Sequence, residues 1–220
     1  MESDVKYSLL FDLDGTLLDP REGIVNSIQF ALRRFGMSEV ADQDLLWCIG
    51  PPLHESFSQL LQTDDEPTIR QAVAAYREYF GADGLLQNHV YTGIPELLTR
   101  LNEHAHSLFV ATSKPHVFAT RILQHFKLDH YFRHIHGSEL DGTRANKGDL
   151  ISYILQKEQL GPAHTLMIGD RKHDILGAQK CGIDSIGVLW GYGADGELEE
   201  AGASYLAADP EDLERIVQAV

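Results

Sequence analysis

The sequence predicts an α/β protein: a doubly wound parallel sheet, interrupted after its first strand by an inserted helical domain. Three observations carry this. From Tyr91 onward, short apolar runs alternate with stretches of helical periodicity, the pattern of parallel strands joined by crossover helices. Before that region, residues 18 to about 88 read as mostly helical, with no clear strand signal. Several apolar runs also end in polar residues, and a parallel sheet gathers such ends on one edge. The expected division is a sheet-forming core of residues 1–17 and 89–220 and a helical insert of residues 18–88.

The first element is the apolar run Tyr7-Ser8-Leu9-Leu10, read as a buried strand leading into Phe11-Asp12-Leu13-Asp14-Gly15-Thr16-Leu17-Leu18-Asp19. Asp12 and Asp14 sit where the strand ends; positions i and i+2 start on one side, and Gly15 can turn the chain and re-aim the second acid. Two acids there are costly unless a cation or a reacting group uses them.

In the insert, Ile24, Ile28, Ala31, Leu32 and Phe35 recur at helical spacing and Gly36 is a stop. A short helix over Asp44 to Ile49 precedes the break Gly50-Pro51-Pro52, and Leu53 to Leu61 and Ile69 to Phe80 are helical again. Trp47, Phe57, Tyr76, Tyr79 and Phe80 read as helix–helix core rather than as stacking platforms for a ligand.

The alternation then runs as follows: helix Pro95 to His104, strand Ser107 to Ala111, helix Pro115 to Phe126, short strand His134 to His136, and helix Lys147 to Lys157. Strand Thr165 to Ile168, helix Asp174 to Cys181 stopped by Gly182, strand Ser185 to Leu189 and helix Pro210 to Val220 complete it. Gly191 to Gly196 matches GxGxxG, but too little chain follows for a dinucleotide-binding half; it reads as a flexible loop at the rim of the site. His134 and His136 share a strand face, with no third metal ligand evident.

Composition narrows the function. The net charge is −15, from 18 basic and 33 acidic residues, which argues against binding nucleic-acid polymers or anionic membranes. An anionic substrate then needs a local positive pocket. Two cysteines, Cys48 and Cys181, make no disulfide framework and fit a reduced cytoplasmic setting. The start Met1-Glu2-Ser3-Asp4 lacks the basic residues of a secretion signal, and no segment is long and apolar enough to span a bilayer.

The strand ends combine into one pattern: DxDGT after the first strand, Thr112-Ser113-Lys114 after the second, Lys147 opening a helix, and Gly169-Asp170-Arg171-Lys172-His173-Asp174. Together these are far more specific than any one of them. FDLDGTLLD, FVATS, Lys147 and MIGDRKHD resemble the four motifs of the haloacid dehalogenase superfamily, in the subclass with a helical cap, over essentially the whole chain. The chain is most similar to the branch of phosphoglycolate phosphatases and soluble 5′-nucleotidases.

The resemblance implies a Rossmann-like core and a role for each residue. Asp12 is implied as the nucleophile that forms an aspartyl-phosphate, and Asp14 as the general acid, then base. Mg²⁺ is implied on Asp12, the Asp14 backbone carbonyl and Asp170, with Asp174 behind it. Thr112 and the Ser113 N–H are implied to hold phosphate oxygens, and Lys147 to neutralise phosphate and Asp12. With these roles the site carries a net charge of roughly −2 with substrate and Mg²⁺ bound, and roughly −4 without the metal, so activity is expected to collapse on chelation.

Residue content sorts the related reactions. The insert contains no lysine, which disfavours Schiff-base phosphonate hydrolysis. Asp14, Gly15 and Thr16 together favour phosphoryl transfer over dehalogenation. A phosphomutase and a non-catalytic phosphate sensor are the weaker alternatives. The expected substrate is a small phosphomonoester, and the expected protein a monomer or homodimer. Arg171 and the TSKP, SELDGTR and GVLWGYG segments favour nucleoside 5′-monophosphates, with phosphoglycolate as runner-up. Gly50, Pro51 and Pro52 are the candidate specificity loop, stiffened by two prolines.

Overall fold

A computed structural model describes residues 6–220. The first four residues, read above for a secretion signal, lie outside the described residues. The chain forms two compact units: one comprises the chain up to Leu18 together with Val90–Val220, the other Asp19–His89.

The strands are β1 (Ser8–Phe11), β2 (Leu18–Asp19), β3 (His89–Val90), β4 (Ser107–Pro115), β5 (His134–Ser138), β6 (Thr165–Gly169), β7 (Asp184–Val188) and β8 (Tyr205–Ala207). Six of them make one parallel sheet in the order β5-β4-β1-β6-β7-β8, while β2 pairs with β3 where the chain passes between the units. β1 is central: Leu9, Leu10 and Phe11 are fully buried, as a short apolar run covered on both faces must be. Phe11 aligns with Val110 of β4 on one side and Ile168 of β6 on the other. Strand order reverses at β1, so the carboxyl ends of β4, β1 and β6 stand side by side at the switch point, where such sheets bind ligands.

The helices of this unit are α4 (Ile94–Glu103), α5 (His116–His125), α6 (Lys147–Glu158), α7 (Lys172–Lys180), α8 (Glu197–Glu200) and α9 (Pro210–Ala219). In α6, Leu150, Ile151 and Ile154 form one apolar stripe against Leu10, Phe109, Ala111 and Met167 of the sheet. Asn146 fixes where α6 begins, its side chain accepting the Asp149 N–H at 3.2 Å. Several elements differ from the sequence expectation: the short α8, β2 and β3 were not anticipated, β5 runs on to Ser138, and three further differences bear on the sheet and the site. β8 was not anticipated; only three residues long, at the sheet edge, it is too short to show a period. β4 continues four residues past Ala111, with an irregular register between Thr112 and Pro115. α7 begins at Lys172, two residues before the Asp174 expected.

The helical unit holds α1 (Arg21–Arg34), α2 (Leu53–Leu61) and α3 (Glu66–Ala82). α1 packs along α3, and Arg34 reaches across with two 2.6 Å bonds to Glu78. Asp65 caps α3, accepting the Thr68 N–H at 3.0 Å, with Pro67 in the first turn. Phe57, Tyr76 and Phe80 are buried as core, Tyr76 stacking on Phe80 at 5.4 Å; Tyr79 meets Phe30 at 5.3 Å. The helix expected over Asp44 to Ile49 is a 3₁₀ segment, Asp42–Cys48. The Gly50-Pro51-Pro52 turn follows it and leads into α2. Among the described residues, no helix is long and apolar enough to cross a membrane.

Candidate active site

The site is built from the tip of β1 outward. The Asp12 N–H donates to Ile168 O at 2.8 Å, continuing the β1–β6 ladder by one residue. The Leu13 carbonyl then accepts the N–H groups of Thr16, Leu17 and Leu18, which winds the chain into a tight turn. Gly15 sits at φ +82°, and a Cβ there would lie 2.1 Å from Asp170 Oδ2. Glycine is required twice over, by the backbone and by the acid packed against it. The turn therefore presses the β1 tip onto the β6 tip and brings Asp12 and Asp170 together.

Lys147 is the hub. As the first residue of α6 it reaches Asp12 Oδ1 at 3.0 Å, Asp174 Oδ1 at 2.7 Å and the Ala111 carbonyl at 2.9 Å. Three acceptors match the three donors of an ammonium. Burial alone would lower the Lys147 ammonium, but Asp12 and Asp174 reverse that and hold it above its ordinary value. Asp174 does two jobs: its Oδ2 accepts the Arg171 N–H at 3.2 Å, capping the first turn of α7, while Oδ1 pairs with Lys147.

One lysine does not neutralise this cluster. Burial, with the Asp12 charge adding to it against the pull of Lys147, raises the Asp174 carboxyl to about 6. Burial, then the charges of Asp12 and Asp174, pushes Asp170 well above the carboxylate range. Asp12, Asp170 and Asp174 each offer a carboxylate oxygen, all within 4.8 Å of one another. An all-oxygen donor set with excess negative charge suits a hard divalent cation such as Mg²⁺. The residues present thus fit the metal that the sequence implied.

Lys114 was missed as a site residue. Its Nζ lies 2.8 Å from Asp14 Oδ1, with both side chains nearly buried. Burial raises the Asp14 carboxyl; Lys114 pulls it back, the nearby Asp12 charge opposes that pull, and the net shift is upward. This second cation offsets part of the negative excess counted from sequence. Its position falls in the irregular stretch of β4 between Thr112 and Pro115, which strand periodicity does not describe. Thr112 is buried at the β4 tip, its Oγ1 accepting the Lys114 N–H at 3.2 Å. The Ser113 carbonyl accepts the Ser138 hydroxyl at 2.8 Å, tying that tip to β5.

The GxGxxG loop is not a flexible segment at the rim; it lies directly on Asp170. A Cβ at Gly191 would stand 2.3 Å from Asp170 Cβ, so only glycine lets the backbone pass. The Tyr192 N–H donates to Asp170 Oδ2 at 2.7 Å, and Trp190 Nε1 donates to the Thr16 carbonyl at 3.0 Å. Glu197 locks this loop to the β6–α7 turn: it accepts from Arg171 Nε at 2.9 Å, the Lys172 N–H at 2.8 Å and the Ala194 N–H at 3.3 Å. No sequence pattern linked Glu197 to Arg171, which are 26 residues apart.

The structure thus gathers Asp12, Asp14, Lys147, Asp170 and Asp174 into one connected cluster, with Thr112 and Ser113 on the neighbouring strand tip. Gly50, Pro51 and Pro52 belong to the helical unit. One sequence reading is corrected outside the site: His134 and His136 do have a third candidate ligand beside them, Glu158 of α6.

Comparison with known proteins agrees with this arrangement. Residues 9–188 match the family model described as haloacid dehalogenase-like hydrolase. A 5′-nucleotidase from Pseudomonas aeruginosa is 49% identical over 96% of this chain and 95% of its own. The tyrosine-protein kinase PtkA of Mycobacterium tuberculosis is 39% identical over 84% of this chain, which spans 62% of that protein. A phosphoglycolate phosphatase from Aliivibrio fischeri is 28% identical over 87% of each chain. Among solved structures, one described as a predicted phosphatase from Clostridium acetobutylicum superposes with a TM-score of 0.94 at 42% identity, covering 98% of this chain and 100% of that one. The family match over most of the chain, with phosphatase-named relatives alike in sequence and fold, gives the identity: the chain belongs to the haloacid dehalogenase-like hydrolase family and is a phosphatase.

Proposed function

We propose that this phosphatase is a Mg²⁺-dependent 5′-nucleotidase acting through an aspartyl-phosphate on Asp12. The observation that carries the substrate class is the 49% identity, over nearly the full length of both chains, to a protein named 5′-nucleotidase. Asp12 Oδ1 is held by Lys147 at 3.0 Å and by the Leu13 N–H at 2.7 Å, so the carboxylate is fixed in rotation before substrate arrives. One of its oxygens attacks phosphorus while the ester P–O bond breaks. Asp14 gives its proton to the leaving oxygen, then takes one from the water that cleaves the acyl-phosphate. Its setting serves both halves: burial favours the protonated acid and Lys114 favours the carboxylate. Thr112 and the Ser113 N–H bind phosphate oxygens, and Lys147 balances charge at Asp12.

Asp12, Asp170 and the Asp14 carbonyl would hold Mg²⁺, with Asp174 behind them. Bound there, it would supply positive charge to the phosphoryl oxygens and let Asp12, Asp170 and Asp174 be ionised together. The Gly50-Pro51-Pro52 turn would contact the leaving group and set specificity. The acidic surface and unpaired thiols fit a cytoplasmic enzyme acting on a small molecule.

The test is a panel of nucleoside 5′-monophosphates against phosphoglycolate, ranked by kcat/KM, with and without excess EDTA. Preference for mononucleotides and loss of activity in EDTA are expected. A strong preference for phosphoglycolate would replace the substrate reading, and full activity in EDTA would remove the metal from it.

A further inference from the structure

We infer that His134, His136 and Glu158 form a second cation site, distinct from the acidic one and selective for a zinc-class divalent ion. The two histidines alternate on β5, so both rings face the side of the sheet that α6 covers; His134 stacks on Phe109 at 6.4 Å. Glu158, the last residue of α6, lies between them: His134 Nδ1 is 2.9 Å from Oε2 and His136 Nε2 is 3.0 Å from Oε1. One ligand atom from each residue falls within 4.8 Å of the other two.

The chemistry selects the ion. Two imidazoles and one carboxylate are the donor set of open zinc sites, and neutral nitrogen ligands disfavour Mg²⁺ and Ca²⁺. A tetrahedral ion with bonds of about 2.0–2.1 Å holds its ligand atoms roughly 3.3 Å apart. The two rings now meet different oxygens of Glu158, at 2.9 and 3.0 Å, and all three residues offer ligand atoms within 4.8 Å of one another, so small side-chain rotations close the set on an ion. Burial is graded in the same sense: His136 and Glu158 are 6% and 11% exposed, while His134 is 60% exposed and leaves the fourth position to water.

The surroundings favour a cation. The carboxyl end of α6 carries the negative pole of the helix. Arg144 and Lys157 lie over the Tyr153 ring, at 4.4 and 5.3 Å from its centre. An ion here would join the last turn of α6 to the edge strand β5. α6 also carries Lys147 at its other end.

The experiment titrates Zn²⁺ into the full-length protein by calorimetry, with Mg²⁺ in large excess to fill the acidic site. Co²⁺ absorption reports the geometry. One further ion per chain is expected, with the intense visible bands of a tetrahedral nitrogen–oxygen site and a Zn²⁺-dependent rise in Tm. Affinity should fall more than about tenfold in His134→Ala, which removes an exposed ring, and in Glu158→Gln, which keeps the shape. Cys181→Ser should change nothing. Unchanged affinity in both ligand variants, or no ion bound beside Mg²⁺, would overturn the inference.

Discussion

Two triads of potential ligands lie in the same unit and differ in nearly every physical respect. Asp12, Asp170 and Asp174 are three buried acids, of which Lys147 pairs with only the first and the last. His134, His136 and Glu158 are graded from exposed to buried, include one acid rather than three, and are already satisfied by two hydrogen bonds. The first stores electrostatic strain that a cation relieves, so metal is needed for the acids to be charged together. The second is content without an ion and would gain from one only when it is supplied. Strain marks a site built around a reaction, and satisfaction marks an optional staple.

The largest expected break in this comparison is Asp12→Asn. If the acidic triad is the reactive one, phosphate release should fall by about 10⁴-fold or more, the scale of losing a nucleophile. Tm should hold or rise, because a buried like charge has gone. Residual activity within tenfold of the parent would move the chemistry elsewhere. No variant of the histidine triad should approach that loss.

Next is Lys147→Met. Removing the hub leaves Asp12 and Asp174 buried without their partner, a destabilisation on the order of 3–5 kcal/mol. Chemical denaturation of metal-free protein measures it. Added Mg²⁺ should restore part of the loss, and an unchanged denaturation midpoint would contradict the hub.

A smaller effect is expected at Glu197→Gln, which weakens the clamp holding the Gly191 loop on Asp170. The Mg²⁺ concentration for half-maximal activity should rise about tenfold or more while kcat at saturating Mg²⁺ stays near its original value. A fall in kcat alone would mean the clamp acts on the chemistry instead.

The smallest concerns pH, where the triads should respond with opposite sign in the metal-free protein. Asp170 and Asp174 are raised, so the folded state holds their protons more tightly than the unfolded chain. Their contribution is full below the ordinary carboxylate range and lost as pH rises through about 6 for Asp174. His136 is lowered, so it contributes stability above the usual histidine range that is lost as pH falls. Tm profiles of the parent and of His136→Gln, subtracted, should isolate the second trend. A parent-minus-variant difference that shrinks toward alkaline pH, rather than toward acid pH, would reverse the assignment.

How much of this was legible follows from range. The strand tips were readable because a parallel sheet has only one carboxyl edge, so polar ends such as Asp12, Thr112 and Asp170 must share it. Asp14 followed from its spacing to Asp12, whereas Lys147 was legible only through the resemblance of the combined motifs. Lys114 was passed over because its meeting with Asp14 depends on the irregular end of β4, which no local pattern announces. Glu197 escaped because its partners come from the preceding turn and loop through side-chain geometry, not periodicity. The Gly191 loop was misjudged for a related reason: glycine spacing signals a close approach but not what approaches. β8 was lost to its length. Glu158 was invisible beside the histidines because it sits at the far end of a helix, matched to β5 only by packing.

β1 has one further consequence, which concerns synthesis. The ribosome makes this central strand well before its two neighbours, β4 and β6; Thr16 meets Asp170 across 154 residues. Until then an uncovered Leu-Leu-Phe edge must avoid other nascent chains, and no catalytic constellation exists to act too early. A stalled or truncated product lacking the last third of the protein would be an aggregation hazard rather than a weak enzyme.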